Sequence, residues 1–306
     1  MLLLVSAFGG DMVTNLFFDD TVVQKAVLLA DSVRGEIALP PYHVLFNAIG
    51  DADRSRPSLE RALAIAEGSP AAIVNHPAAV LHTGRVEMMQ RLRGVDGVRV
   101  PRTERIARAA LTAGELHARG FTFPLLLRSP GHHAGDHFAL VETPAELDAV
   151  AASLPGGELL AIEYLDARGP DGDVRKYRVV CVDGRLFPVH VAIAPQWKVH
   201  YFSAEMADRS DHRAEEAAFL EDMPAVVGER GMRALAEICA TLGLDYAGVD
   251  FGLSGEGTIL VFEANATMAV YHSEAGAWGS RRRAAERVIA AVRTMLVERA
   301  KTAGYA

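Results

Sequence analysis

Short apolar runs recur from Leu2 to Ala264, and each gives way to an amphipathic segment or to a Gly, Pro or Asp turn. This alternation constrains the fold more than any other feature. None of the runs approaches the ~18 residues of a membrane helix, and no period of roughly 20–50 residues marks a solenoid. Strand-like and helix-like segments taking turns along a chain argue for an α/β or α+β fold. With 306 residues there is chain for about two domains. The first run, Met1–Phe8, lacks a basic start and is stopped by Gly9-Gly10-Asp11. It reads as a first buried strand, not as a signal peptide.

The pattern predicts a strand at Leu2–Phe8 and a helix over Thr21–Val33, where Val22, Val23, Ala26, Val27, Ala30 and Val33 have helical spacing. Strands follow at His43–Ala48 and Ala71–Asn75. Between them Ser55 and Pro57 open a helix that Gly68 closes. Thr83 is expected to cap a helix reaching Arg93, before Gly94. Val98-Arg99-Val100-Pro101 breaks the pattern, so a small open α/β domain is expected over 1–100 and a second over 101–306. In the second, Thr112 with Glu115 and Thr143 with Glu146 read as capping boxes. Strands are expected at Pro124–Arg128, His137–Val141 and Leu159–Leu165. Lys176–Val182 and Arg185–Ile193 read as a hairpin turning at Asp183-Gly184. Helices are expected near Arg213–Glu221, over Met232–Leu242, and from about Arg281 to Arg299, where Arg281-Arg282-Arg283 reads as a solvated helix start.

The sharpest chemical signal is Asp250, Glu263 and Asn265. Residues i and i+2 of a strand share a face, so Glu263 and Asn265 point together. If loop 254–257 closes a hairpin with Leu253 opposite Thr258, Asp250 faces Val261 and lies diagonal to Glu263. Oxygen donors converging among apolar neighbours suit Mg²⁺, which shares its shell with phosphates. The plain alternative is a solvated strand face. Gly131 and Gly135 let backbone amides approach an anion, although loop 129–135 also reads as an ordinary surface turn. Arg178 sits beside Val179 and Val180, so its charge needs an anion, either an internal carboxylate or a ligand phosphate. The spacing of His132, His133 and His137 carries no zinc signature. Trp197, Lys198, His200 and Tyr201 crowd an irregular segment that reads as a substrate loop or as packing. No P-loop, dinucleotide fingerprint or nucleophile elbow is present in the sequence. The net charge of −8 argues against a nucleic-acid surface. Cys181 and Cys239 form neither a disulfide framework nor a CxxC motif. Together these features lead to the expectation of a cytoplasmic protein engaging neither nucleic acid nor membrane.

With Asp250 on one late strand and Glu263-Ala264-Asn265 on the next, the chain resembles the ATP-grasp superfamily, in its glutathione-synthetase-like and RimK-like branches. Phe123-Pro124-Leu125-Leu126-Leu127-Arg128 and the loop after it resemble the family's strand, basic residue and phosphate loop. Leu160–Leu165 resembles its strand-to-hinge segment, and Tyr177-Arg178-Val179-Val180 its arginine strand. Asn75-His76-Pro77, Thr83-Gly84-Arg85 and Val100-Pro101-Arg102-Thr103 resemble the approach to the nucleotide-binding lobes. Arg85 and Arg128 stand where the family usually has lysines.

The resemblance implies a two-lobed ATP-grasp fold after the N-terminal domain, with a smaller lobe over about 101–165 and a larger one over about 166–306. It implies ATP bound by Arg85, Arg128, Gly131, Gly135, Glu163, Tyr164 and Leu165. It implies one or two Mg²⁺ ions, replaceable by Mn²⁺, on Asp250, Glu263 and Asn265, and a catalytic role for Arg178. The activity implied is an ADP-forming ligase joining a small-molecule carboxylate, or a short peptide, to an amine through an acyl phosphate. A homodimer is compatible with this. The alternatives are a phosphotransferase on the same fold and a non-catalytic nucleotide-binding protein.

Overall fold

The computed structural model describes residues 1–18, 23–35, 37–132, 135–199, 204, 206–271 and 278–302. In chain order the elements are β1 (Leu2–Val5), β2 (Ala26–Leu29), β3 (Val44–Asn47), α1 (Arg56–Glu67), β4 (Ala72–Val74), α2 (Pro77–Val80), α3 (Arg85–Arg91), β5 (Val98–Arg99) and β6 (Thr103–Ala107). There follow α4 (Ala113–Ala118), β7 (Leu125–Arg128), β8 (Phe138–Val141), α5 (Leu147–Ser153), β9 (Glu158–Glu163), β10 (Val174–Val182) and β11 (Arg185–Ala194). The chain closes with α6 (Ser210–Glu221), α7 (Met223–Leu242), β12 (Tyr246–Leu253), β13 (Ile259–Asn265) and α8 (Gly279–Thr302).

Three sheets result, ordered β2-β1-β3-β4, β6-β9-β7-β8 and β11-β10-β12-β13-β5. The first is parallel throughout, and its central strands β1 and β3 are buried on both faces, as is usual for parallel sheets, while the edge strand β2 leaves Val27 and Leu29 exposed. Leu2 and Leu4 face one core and Leu3 the other. Its second face shares a core with Val180, Val182 and Tyr246 of the larger late sheet and with Val288, Val292 and Met295 of α8. The antiparallel sheet β6-β9-β7-β8 has its own core, in which Leu116 of α4 and Leu147 of α5 cover Leu125, Leu127 and Leu159. The link from the first sheet to this one lends β5 to the edge of the late sheet, parallel to β13. No helix among the described residues is long and apolar enough to cross a membrane.

Several expectations are corrected. Residues 21 and 22 lie outside the described ones, but Ala26–Leu29 is an edge strand parallel to β1, not part of a helix. A four-residue apolar run fits either period, and here pairing with β1 decides. Thr83 does not cap α3. Its hydroxyl donates to the Val80 carbonyl, closing α2, while Asp53 accepts the Arg85 amide at 2.8 Å. Arg281 is not solvated: its Nε lies 2.6 Å from Glu216 and its guanidinium 3.9 Å from the Trp278 ring centroid. α7 reaches back to Met223 across a break at Gly228.

One side chain ties the first sheet to the late one. Asn75 follows β4 with φ of 55°, and its amide pairs with the backbone of Tyr246 at both atoms, accepting from N at 2.8 Å and donating to O at 2.9 Å. Its own N–H donates to Asp245 at 2.8 Å. Asn75 is fully buried, so truncation leaves backbone groups without partners, at about 1–3 kcal/mol each. Asn75→Ala is expected to lose about 2–3 kcal/mol of stability by chemical denaturation. A loss below about 0.5 kcal/mol would show that water replaces the amide.

Candidate functional site

The late sheet presents its polar face through β10, β12 and β13. Arg178 lies opposite Asp250, and Asp250 opposite Glu263. This last pairing departs from the predicted register. The hairpin pairs Leu253 with Ile259 and Phe251 with Val261, and then a bulge at Phe262 shifts the register by one. Without that extra residue Asp250 would face Phe262, and Glu263 would point away. The bulge therefore delivers Glu263 to the Asp250 face, as bulges beside functional sites do. Gly248 serves the same face by lacking a side chain. A Cβ there would lie 2.3 Å from Met268, so glycine lets residues 266–269 fold back over the strand. That return brings the Ala269 carbonyl to Arg178, which donates to it at 3.3 Å.

The acids are already partnered. Asp250, 3% exposed, accepts a bidentate pair from Arg178, Nε–Oδ1 at 2.6 Å and Nη2–Oδ2 at 2.9 Å. Lys176 Nζ lies 3.3 Å from the same Oδ2. Burial pushes the Asp250 carboxyl up, but the charges of Arg178 and Lys176 outweigh it and hold the group well below the usual range. Glu263 Oε1 accepts from Arg85 Nη2 at 2.6 Å and from Asn265 Nδ2 at 2.9 Å. Asn265 Oδ1 receives the amide and hydroxyl of Thr267, both at 2.9 Å.

Arg128 differs. At the end of β7 it is 6% exposed, it donates to the His132 carbonyl, and it lies over the Phe138 ring at 5.2 Å. Among the described residues no carboxylate comes within ion-pair distance of it. Burial, with the nearby charge of Arg85, brings its pKa down to about 10. Glu263, Asp51 and Asp136 act on it only from beyond ion-pair distance, and a buried cation so weakly countered is costly and makes a candidate anion site.

Two adjoining cavities share Arg85, Arg128 and Glu263. The larger, about 1050 Å³ of open space between the late sheet and the β6–β9 sheet, has Ile162, Leu165 and Phe262 among its apolar walls. Glu163, Tyr164, Gly135, Arg178 and Asp250 also line it. The smaller, about 480 Å³, is bounded by Gly131, Asn265 and the Asp51–Asp53 loop of the N-terminal sheet. Every residue expected to bind nucleotide or metal therefore borders one of two connected spaces. Glu163 is held on the approach strand, 2.8 Å from Arg99 and 3.0 Å from the Arg102 amide. His132 stacks edge-on against His137, while His133, His200 and Tyr201 lie outside the described residues.

Sequence reasoning missed Lys176, whose signal was present: it precedes Arg178 by two residues on a strand and so shares its face. It also missed Phe138, packed against Trp197 at 5.3 Å, and the acceptance of the Lys198 ammonium by the Phe138 carbonyl at 3.2 Å.

Mg²⁺ requires oxygen donors; Glu263 offers them where the two cavities adjoin, and Asn265 borders the smaller one. The Glu263 side chain is 23% exposed, with Arg85 Nη2 2.6 Å from its Oε1. Both oxygens of Asp250 are occupied by internal cations. Among the described residues no three His, Cys, Asp or Glu side chains gather in a way that could hold a metal by themselves.

No protein-family model and no curated protein sequence matches the chain. Solved structures do. D-alanine–D-alanine ligase from Bacillus anthracis superposes with a TM-score of 0.62 at 13% identity, over 98% of this chain and 97% of that one. A RimK domain ATP-grasp protein from Sphaerobacter thermophilus gives 0.56 at 16%, over 96% and 97%. Carboxyaminoimidazole ribonucleotide synthase from Aspergillus clavatus, complexed with ATP, gives 0.54 at 14%, over 88% and 70%. The likeness runs over nearly the whole chain, to a structure that is itself an ATP-grasp protein among others, and the chain has the ATP-grasp fold.

Proposed function

We propose that this protein is an ATP-dependent ligase that joins a carboxylate to an amine through an acyl phosphate, releasing ADP and phosphate. The observation that carries the reading is Arg128, a buried guanidinium with no carboxylate among the described residues at ion-pair distance, where the two cavities adjoin. An adenine nucleotide suits that junction, with its base against Ile162, Leu165 and Phe262 and its phosphates towards Arg128. Likeness to a D-alanine–D-alanine ligase and to a carboxyaminoimidazole ribonucleotide synthase, each solved with ATP, supports it.

In this reading the Glu163–Leu165 segment meets the adenine, and Arg85, Arg128 and the Gly131–Gly135 loop hold the phosphates. Glu263 and Asn265 would hold Mg²⁺, or Mn²⁺ in its place, which supplies positive charge to the polyphosphate. A carboxylate is a poor electrophile. Its oxygen attacks the γ-phosphorus, the bond to the ADP oxygen breaks, and the acyl phosphate so formed carries a good leaving group. The amine then attacks the carbonyl carbon, loses a proton, and phosphate departs. Arg178 faces the larger cavity and stabilises charge as it develops on the transferring group. No side-chain nucleophile is needed.

Hydroxylamine tests the reaction class. With ATP and a pool of amino acids and short peptides as carboxylates, the protein is expected to yield a hydroxamate together with ADP and phosphate. Phosphorylated product without hydroxamate would assign it to hydroxyl phosphorylation instead. ATP binding without phosphate release from any pool would make it a binding protein.

A further inference from the structure

Asp250 and Glu263 stand opposite each other on paired strands, yet their surroundings differ in kind. Glu263 borders both cavities and its side chain is 23% exposed, against 4% for Asp250. Asp250 is a saturated anion. A carboxylate offers about four lone-pair sites, and three N–H-bearing groups of two buried cations, Arg178 Nε, Arg178 Nη2 and Lys176 Nζ, approach its two oxygens at 2.6, 2.9 and 3.3 Å. All three side chains are at most 15% exposed. A divalent ion bound to Asp250 would have to displace one of these cations, or sit in contact with both in a site shielded from water, where like charges repel most strongly.

Lys176 lies on the ligand side of this arrangement. It shares the β10 face with Arg178, and it lines the larger cavity together with Arg85 and Arg128. Its ammonium is a compact point charge with three donors, able to hold Asp250 with one and a phosphate oxygen with another. Those are the properties a bridging divalent cation brings to a polyphosphate.

We propose that the Lys176 ammonium, anchored on Asp250, takes the place of a second divalent cation in this chain, so that the nucleotide-loaded site holds one divalent ion, on Glu263 and Asn265. The inference rests on the nucleotide reading above. It turns Asp250 from a metal ligand into an anchor for Lys176 and Arg178.

The test is manganese counting. Mn²⁺ is titrated, with free ion followed by electron paramagnetic resonance, into the protein saturated with a non-hydrolysable ATP analogue. One bound Mn²⁺ per chain is expected, and two would overturn the inference. Mutating even a group that only orients a metal ligand typically costs 10–100-fold in affinity, and removing a ligand costs no less. Glu263→Gln should therefore weaken Mn²⁺ by about tenfold or more, whereas Asp250→Asn should leave Mn²⁺ affinity within about twofold. A loss of about tenfold in Asp250→Asn would restore Asp250 to the metal and overturn the inference. Should Asp250→Asn not fold, Lys176→Met decides beside the unaltered count. It is expected to bind the analogue about tenfold more weakly with the Mn²⁺ count still one, because a charged hydrogen bond is lost. Unchanged analogue affinity in that variant would overturn the role of Lys176. If the unaltered protein binds no adenine nucleotide, the reading under Proposed function falls and takes this inference with it. A second manganese ion defeats the inference alone.

Discussion

Arg128→Met is expected to melt at a higher temperature than the unaltered protein when no nucleotide is present, and to bind ATP about a hundredfold more weakly. The two effects have one cause. In the free protein the guanidinium is buried with no carboxylate among the described residues at ion-pair distance, and burial brings its pKa down to about 10. A base whose folded pKa lies below its unfolded value is disfavoured in its charged form by the fold. The fall from the ordinary guanidinium value corresponds to roughly 3 kcal/mol. The penalty is fully present at neutral pH and fades as pH rises past about 10, where the folded state begins to release the proton first. Methionine fills comparable space without the charge, so the penalty disappears and so does the grip on phosphate. Arg128→Lys should keep much of the binding. Thermal melts and titration calorimetry on the same samples suffice. If ATP affinity is unchanged in Arg128→Met, the anion site lies elsewhere.

Arg178→Ala is expected to lose on both counts. Removing the guanidinium leaves the 3%-exposed Asp250 with Lys176 alone. Breaking a buried pair from one side costs roughly 3–5 kcal/mol, so the melting midpoint should drop far. The carboxyl is held low in the fold, so the pair's stabilisation is complete above about pH 4 and is lost as pH falls towards the folded value. The gap between variant and unaltered protein should therefore narrow in acid. Turnover should fall by about 10²–10³, the usual cost of one donor to developing charge. A variant that melts normally but turns over slowly would leave Arg178 a catalytic role and refute its structural one.

The parts of this molecule that could be read from its residues are those where one local rule sufficed. Ser55, Pro57 and Gly68 bound α1 as expected, and Asp183-Gly184 turns the β10–β11 hairpin. Thr112 accepts the Glu115 amide. The acids and the cations around the cavity could be named because charged residues inside apolar strands have few reasons to be there. What escaped needed tertiary information. The strand at Ala26–Leu29 exists because β1 offers it an edge. The bulge at Phe262 is a property of two strands together and leaves no mark on either one. Partner choice was equally hidden: no spacing reveals that Arg178 takes Asp250, because β10 and β12 meet across a separation of 72 residues.

The sheet of β6 to β9 encloses a core that it shares with neither other sheet, whereas the first and last sheets are fused through α8. Two cooperative folding units of unequal size are therefore expected, with the smaller able to open on its own. Arg128 belongs to the smaller unit, and Arg178, Asp250 and Glu263 to the larger. A ligand spanning them acts as a non-covalent cross-link: it stabilises the smaller unit only while both are folded, and so makes one transition out of two.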